Sequence, residues 1–143
     1  MRESDPGATP GQKDRAPKLP TPFADYPNPA ASFVTLRSGA GGGTNGSLGL
    51  RIKRKQGTET LVDNVEVAGA ALAKAAASDH RLLYATPALL TPLHISGTPQ
   101  ITLRLASSKP AANLSVWLVV LPWTDGPIGT SNIITRGWAD AQN

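Results

Sequence analysis

Two stretches in the C-terminal half of the chain carry the hydrophobic patterns of β-strands. In Gln100–Ser107 (QITLRLAS) every second residue is apolar, which is the period of a strand with one face on a core and one towards solvent. Asn113–Leu121 (NLSVWLVVL) is apolar almost throughout. This pattern predicts a central strand covered on both faces, with Trp117 in the core. Pro122 follows directly and is expected to end that strand.

Shorter segments add further strands and one helix to the prediction. The alanine-rich segment Ala68–Ala77 favours a short helix, because alanine is the best helix former. Turn residues separate the remaining apolar segments at intervals of about 8–12 residues, the spacing typical of a sandwich or barrel. The other predicted strands are Ser32–Arg37, Leu48–Ile52, Arg81–Ala85, Leu93–Ser96 and Ile133–Trp138.

Composition supports an all-β architecture. The 143 residues suit one domain, and 14 Gly and 13 Pro favour many turns and few long helices. Met1–Thr21 is rich in proline, glycine and charge, so it is predicted to be a disordered tail or linker. Residues 22–143 are predicted to form the β-sandwich domain, with a jelly-roll-like arrangement of antiparallel strands.

Two local motifs resemble binding sites, one for a dinucleotide and one for nucleic acid, but the neighbouring residues argue against both functions. Gly41, Gly43 and Gly46 fit the G-x-G-x-x-G pattern of dinucleotide sites. A strand pattern follows them where such a site requires a helix, so we interpret the glycines as a hairpin connection. The net charge of +4 includes a basic cluster of Arg51 and Lys53–Lys55 without a neighbouring aromatic residue. We interpret this cluster as a solvated strand end and predict neither nucleic-acid binding nor membrane binding.

Catalytic and metal-binding patterns are missing from the sequence. There is no G-x-S-x-G nucleophile elbow and no cysteine. His80 and His94 are too far apart for a zinc motif and lack an adjacent serine motif. We therefore interpret both histidines as hydrogen-bonded scaffold and predict no catalytic residue, metal or cofactor. No signal peptide or membrane-spanning segment is visible, and the compartment stays undetermined.

The tryptophans near the C-terminus are the best candidates for a contact surface. Trp123 and Trp138 flank predicted loops, and an exposed indole either packs on another domain or stacks on a sugar ring. Together with Arg136 and Asp140 they form the predicted interdomain or ligand surface. The sequence leaves two interpretations open, an accessory segment that contacts another domain and a carbohydrate-binding β-sandwich module.

The order of several motifs from Arg81 onward resembles a known family. The segments LLYATP, HISGTP, NLSVWLV and TRGW follow one another as in the C-terminal domain of Xaa-Pro dipeptidyl-peptidases and related acyl hydrolases, including bacterial cocaine esterase. The resemblance implies a jelly roll similar to galactose-binding modules. It also implies a partner, an α/β-hydrolase domain that carries the Ser-Asp-His triad and has no counterpart in this sequence.

From this resemblance we expect a non-catalytic accessory segment with an incomplete jelly roll. The parent enzyme would release N-terminal Xaa-Pro dipeptides or cleave acyl esters. No triad residue can be transferred to this chain, so the chain alone is predicted to be inactive.

Overall fold

The chain separates into two compact units. The computed structural model describes Pro22 and residues 24–51, 56–123 and 132–140. One unit is Pro29–Ile95, and the other consists of the described residues of Met1–Asn28 and Ser96–Asn143. The predicted tail Met1–Thr21 and the lysines of the basic cluster lie outside the described residues.

The unit Pro29–Ile95 contains a small three-stranded sheet and a short helix. Strand β1 is antiparallel to β2, and β2 is parallel to β3. The parallel pair needs a long crossover, and the helix α1 lies within it. In chain order the elements are β1 (Arg37–Ser38), β2 (Gly46–Gly49), α1 (Gly69–Lys74) and β3 (Tyr84–Ala85).

Glycines connect β1 to β2 because the backbone there passes close to Tyr84. A Cβ atom at Gly46 would lie 2.5 Å from Tyr84 Cδ1, and one at Gly42 would lie 2.8 Å from the Tyr84 hydroxyl. Gly41 has a φ of +106°, which side chains rarely allow. The interpretation of the glycine-rich segment as a hairpin connection is confirmed, since β1 and β2 pair on either side of it.

The second unit contains an antiparallel ribbon of two long strands, β4 (Asn113–Val119) and β5 (Ile133–Asp140). The register is regular from Asn113 opposite Asp140 to Leu118 opposite Thr135, and an irregularity follows between Leu118 and Val119. Asn132 closes the end of the ribbon, because its buried side-chain amide donates to the carbonyls of Val120 and Pro122 at 2.9 and 3.1 Å.

Several predictions of elements are confirmed. Both ribbon strands form where the sequence predicts them, as does the helix within Ala68–Ala77. Among the described residues most regular structure is strand, and α1 has only 6 residues. The all-β class is therefore confirmed at this level of detail.

Other predictions are wrong, and the reason is the lack of a pairing partner. Gln100–Ser107 and Leu93–Ser96 form no strand, and of Ser32–Arg37 only Arg37 belongs to one. Alternating residues make a strand only where a neighbour takes the backbone hydrogen bonds. For the same reason β4 is not a central strand in the described part of the chain, where it pairs with β5 alone.

No hydrophobic side chain is fully buried among the described residues. Trp117, which the sequence places in a core, is half-buried. Large apolar side chains are exposed to solvent in both units. Leu90 and Phe33 in the unit Pro29–Ile95 are 99% and 104% exposed, and Trp138 in the other unit is 76% exposed. A contiguous core of the kind that usually holds a domain together is absent from this part of the chain.

Candidate functional site

One face of the ribbon brings together three of the four residues predicted as a contact surface. Side chains alternate between the two faces of a strand, so Arg136, Trp138 and Asp140 share a face of β5. Their cross-strand partners Trp117, Ser115 and Asn113 lie opposite them in that order on β4. We call these six residues the Trp face.

Trp123, the fourth predicted residue, joins this surface through Trp117. The two indole rings are stacked, with centroids 6.4 Å apart and planes inclined by 29°. The Trp117 indole N–H donates to the Ser115 hydroxyl at 2.9 Å. Because Asn132 binds the carbonyl of Pro122, the backbone next to Trp123 is held against the ribbon. Both side chains are half-buried, and their stacked rings form an apolar platform.

Trp138 is the most prominent side chain of the Trp face. It is 76% exposed, and Arg136 and Asp140 on either side of it are also exposed. Its cross-strand neighbour Ser115 is small and covers little of the indole ring. An exposed tryptophan beside an arginine is the composition that protein interfaces favour at their energetic centres.

The opposite face of the ribbon has a different character. Leu114, Val116 and Leu118 are half-buried there, opposite the smaller residues Ala139, Gly137 and Thr135. We call this side the Leu face. Its lack of charge is typical of a sheet surface that packs into a sandwich core.

A second polar cluster lies under the glycine-rich segment of the unit Pro29–Ile95. One oxygen of the Glu59 carboxylate accepts hydrogen bonds from the backbone N–H groups of Gly41 and Gly42, at 2.6 and 2.8 Å. The other oxygen accepts from the Gln56 amide at 2.9 Å and from the Tyr84 hydroxyl at 2.5 Å. The glycine amides that could cradle a phosphate are thus occupied by a carboxylate of the chain itself.

These hydrogen bonds, together with the burial of Tyr84, shift the pKa values of Glu59 and Tyr84 in opposite directions. Those from Gln56 and then Tyr84 are the main causes that lower the pKa of Glu59 from 4.5 to about 2. Burial, followed by the hydrogen bond to Glu59, raises the pKa of Tyr84 from 10.0 to about 12. The pair therefore holds an ionised carboxylate and a neutral phenol over the whole physiological range, which suits a structural role and no proton transfer.

Arg81 ties the same segment to the helix. Its buried guanidinium donates to the carbonyls of Gly42 and Thr44 at 3.1 and 2.9 Å. It also donates to Leu72 and Ala75 at 2.8 and 2.6 Å, at the C-terminal end of α1. Burial lowers the pKa of Arg81. A single side chain therefore satisfies four carbonyls of two segments, and its cation sits where the helix dipole favours positive charge.

The histidines do not form a catalytic arrangement in the described residues. The His80 Nδ1 atom lies 2.8 Å from the carbonyl of Val62 and donates to it, which agrees with the predicted scaffold role. His94 lies in an irregular exposed segment instead of the predicted strand. Among the described residues no three His, Cys, Asp or Glu side chains gather in a group that could hold a metal. None of the described helices has the length and apolarity to span a membrane.

The sequence analysis missed the cluster of Glu59, Tyr84 and Arg81. Each is a single polar residue in an otherwise unremarkable segment, and no spacing rule connects them. The available signal was the density of glycine between residues 39 and 46, since a backbone with so few side chains of its own has to be held by side chains from elsewhere.

Comparisons with known proteins relate the chain to a non-catalytic domain of a peptidase family. A family model described as the X-Pro dipeptidyl-peptidase C-terminal non-catalytic domain matches residues 3–143. A protein of Rhodopirellula baltica (strain DSM 10527 / NCIMB 13988 / SH1) named "Putative Xaa-Pro dipeptidyl-peptidase" is 50% identical over 134 residues, which cover 92% of this chain and 21% of that protein. No solved structure matches the chain.

These matches cover nearly the whole chain but only a part of the relative. The chain spans about a fifth of the length of the curated relative that it matches. Nothing in the comparisons supports the carbohydrate-binding alternative. The resemblance seen in the motifs after Arg81 is confirmed, and this chain belongs to the family of X-Pro dipeptidyl-peptidase C-terminal non-catalytic domains.

Proposed function

We propose that this chain serves as the C-terminal accessory domain of a larger serine hydrolase of the Xaa-Pro dipeptidyl-peptidase type. In such a parent an α/β-hydrolase part supplies the serine nucleophile, the histidine base and the aspartate that orients the histidine. Its substrates are peptides with proline in the second position, from which it releases the N-terminal dipeptide, or acyl esters. The name of the Rhodopirellula baltica relative supports the peptidase activity, and the family description supports the non-catalytic role of this part.

The observation that carries the proposal is the amount of apolar surface left uncovered. No hydrophobic side chain is fully buried in the described residues, while leucine, isoleucine, valine and tryptophan side chains stand in solvent. Exposed apolar surface of this extent marks a site of contact with other protein. An accessory domain that is completed by the rest of its parent has such a surface, whereas a self-sufficient module does not.

The Trp face is the part of this surface that we assign to the catalytic domain. Trp138 would be its anchor, with Trp123 extending the apolar platform through Trp117. Arg136 and Asp140 would form the polar rim, where charges set orientation more than affinity. This assignment follows the usual anatomy of interfaces, in which an aromatic centre is surrounded by charged and polar residues.

The jelly-roll-like sandwich also belongs to this proposal. We assign residues 22–143 to one part of such a sandwich and Met1–Thr21 to a linker. The Leu face supports the assignment, since a second sheet packed against Leu114, Val116 and Leu118 would leave the Trp face outward. The sheet order of a jelly roll requires partners for β4 beyond β5, and these would come from the remainder of the sandwich.

The proposal predicts that the purified chain has neither peptidase nor esterase activity. The experiment measures turnover of an Xaa-Pro chromogenic amide and of a short-chain ester at high protein concentration. We expect no turnover above the buffer control, because the chain has no nucleophile elbow and His80 is bound to a backbone carbonyl. Turnover that disappears in His80→Ala or His94→Ala would show a catalytic centre in this chain and refute the accessory role.

A further inference from the structure

The segment from Gln100 to Ala106 is open chain. The backbone runs from Thr98 to Ser107 without a turn or bend, and every residue of this stretch is exposed. In the described part of the chain no backbone hydrogen bond reaches residues 100 to 106. Exposed chain with free N–H and C=O groups is where proteases cut folded proteins, because an extended peptide is bound through its main-chain hydrogen bonds.

We propose that the bond between Arg104 and Leu105 is the preferred site, among the described residues, for endopeptidases that require arginine before the cut. Water adds across this peptide bond, which leaves a carboxylate on Arg104 and a free amino group on Leu105. The site is independent of the role proposed above, because it depends only on the state of this segment.

Arg104 determines the class of protease that fits the segment. It is the sole charged residue from Thr98 to Ser107. Its guanidinium is exposed and makes no hydrogen bond or ion pair with a described residue. Trypsin-like enzymes select their substrates through one acidic pocket that takes the side chain before the cut. A free arginine in open chain can enter such a pocket without any local unfolding.

Other basic residues of the described chain are held in regular structure. Arg37 and Arg136 lie in paired strands, and Lys74 lies in α1. The Arg81 guanidinium is buried and donates to four backbone carbonyls. At each of these positions the local structure has to open before a protease can bind the backbone.

Lys109 lies close to the open segment but is a poor site for two reasons. Its backbone N–H donates to the Ser107 hydroxyl at 3.0 Å, and the chain bends from residue 108 to 110. The next residue is Pro110, which has no N–H and restricts the backbone of the residue before it. The bond after Arg104 is therefore the one between residues 98 and 110 that is both open and preceded by a usable basic side chain.

Cleavage at this bond would divide the chain between its structural elements. The fragment that begins at Leu105 carries β4 and β5, and the unit Pro29–Ile95 remains on the other fragment. The chain has no cysteine, so no disulfide links the two fragments. In a parent of the proposed type the cut would break the covalent link between the Trp face and that unit. This consequence rests on the proposed function, whereas the cut itself does not.

Limited proteolysis of the folded full-length chain with trypsin tests the site. Mass spectrometry follows the initial rates of cleavage after Arg104 and after Arg136. Each rate is divided by that of a synthetic peptide of the same sequence, residues 98–107 and 132–140. We expect the bond after Arg104 to react within about threefold of its peptide, because the segment needs almost no opening. The bond after Arg136 should react at least about tenfold more slowly than its peptide, because β5 must first leave β4.

Two matched variants assign the cut to its residue. Arg104→Gln should abolish the fragment that begins at Leu105, whereas Arg136→Gln should leave the rate at which this fragment forms unchanged. Protection of the Arg104 bond as strong as that of the Arg136 bond would show that the segment is paired in solution and would overturn the proposal. Equally fast cleavage at both bonds would also overturn it, because the site would then have no preference.

Discussion

Replacing Arg81 with alanine is expected to lower the free energy of unfolding of the unit Pro29–Ile95 by about 3 kcal/mol. The guanidinium donates to four backbone carbonyls in two separate segments. Hydrogen bonds to a charged group contribute about 1.5–3 kcal/mol each. Water can reach some of the freed carbonyls, so the expected loss is well below the sum.

Thermal and urea unfolding followed by circular dichroism measure this loss. Arg37→Ala is the matched control, because Arg37 is exposed and makes no side-chain hydrogen bond that the structure shows. Arg81→Lys should recover only part of the stability, since an ammonium group lacks the planar fork that reaches both segments. If Arg81→Ala unfolds at the same urea concentration as Arg37→Ala, the guanidinium does not hold the glycine-rich segment to the helix.

Replacing Glu59 with alanine is the second substitution with a large expected effect, and its size depends on pH. The carboxylate accepts hydrogen bonds from Gly41, Gly42, Gln56 and Tyr84. Near neutral pH we expect a loss of about 1–2 kcal/mol, because solvent reaches the carboxylate and weakens each charged hydrogen bond. The exposed Glu66 provides the control Glu66→Ala.

The sign of the pH dependence follows from the direction of the two shifts. The pKa of Glu59 is lower in the folded chain, about 2 against 4.5, so its contribution is complete above pH 4.5 and disappears as the pH falls towards 2. The pKa of Tyr84 is raised from 10.0 to about 12, so its contribution is lost as the pH rises from 10 towards 12. The stability difference between the chain and Glu59→Ala should therefore be constant from pH 5 to 9 and shrink in acid. A difference that grows below pH 4 would contradict the assignment.

The two ribbon strands can be predicted from the sequence because each is specified by residues within the strand itself. The apolar run before Pro122 and the β-branched residues at the start of β5 each specify a strand by themselves. The same alternation in Gln100–Ser107 specifies a strand only if another strand accepts its hydrogen bonds, and the described chain provides none. The strand predicted for Gln100–Ser107 is therefore absent from the described chain, because its formation depends on a partner that the pattern does not contain.

The candidate surface also combines features that local spacing predicts with features that depend on distant parts of the chain. Arg136, Trp138 and Asp140 fall on one face because they are two residues apart on a predicted strand, which the sequence alone shows. The stacking of Trp123 on Trp117 depends on how the chain after Pro122 returns to the ribbon, and no local rule gives that path. The hydrogen bonds of Glu59 and Arg81 to the glycine-rich segment join residues that lie 17 to 39 positions apart, beyond the reach of any spacing rule.

A graft into the Rhodopirellula baltica relative tests the accessory role most directly. The 134 matching residues of that protein would be deleted, or replaced by the corresponding residues of this chain with or without Trp138→Ala. Hydrolysis of an Xaa-Pro chromogenic amide is then compared with that of the unaltered relative. We expect that the deletion abolishes turnover and that the graft restores it. Trp138→Ala should reduce the restored activity, while the opposite-face control Ala139→Ser should not. Full activity of the deletion variant would contradict the claim that this domain supports the catalytic part.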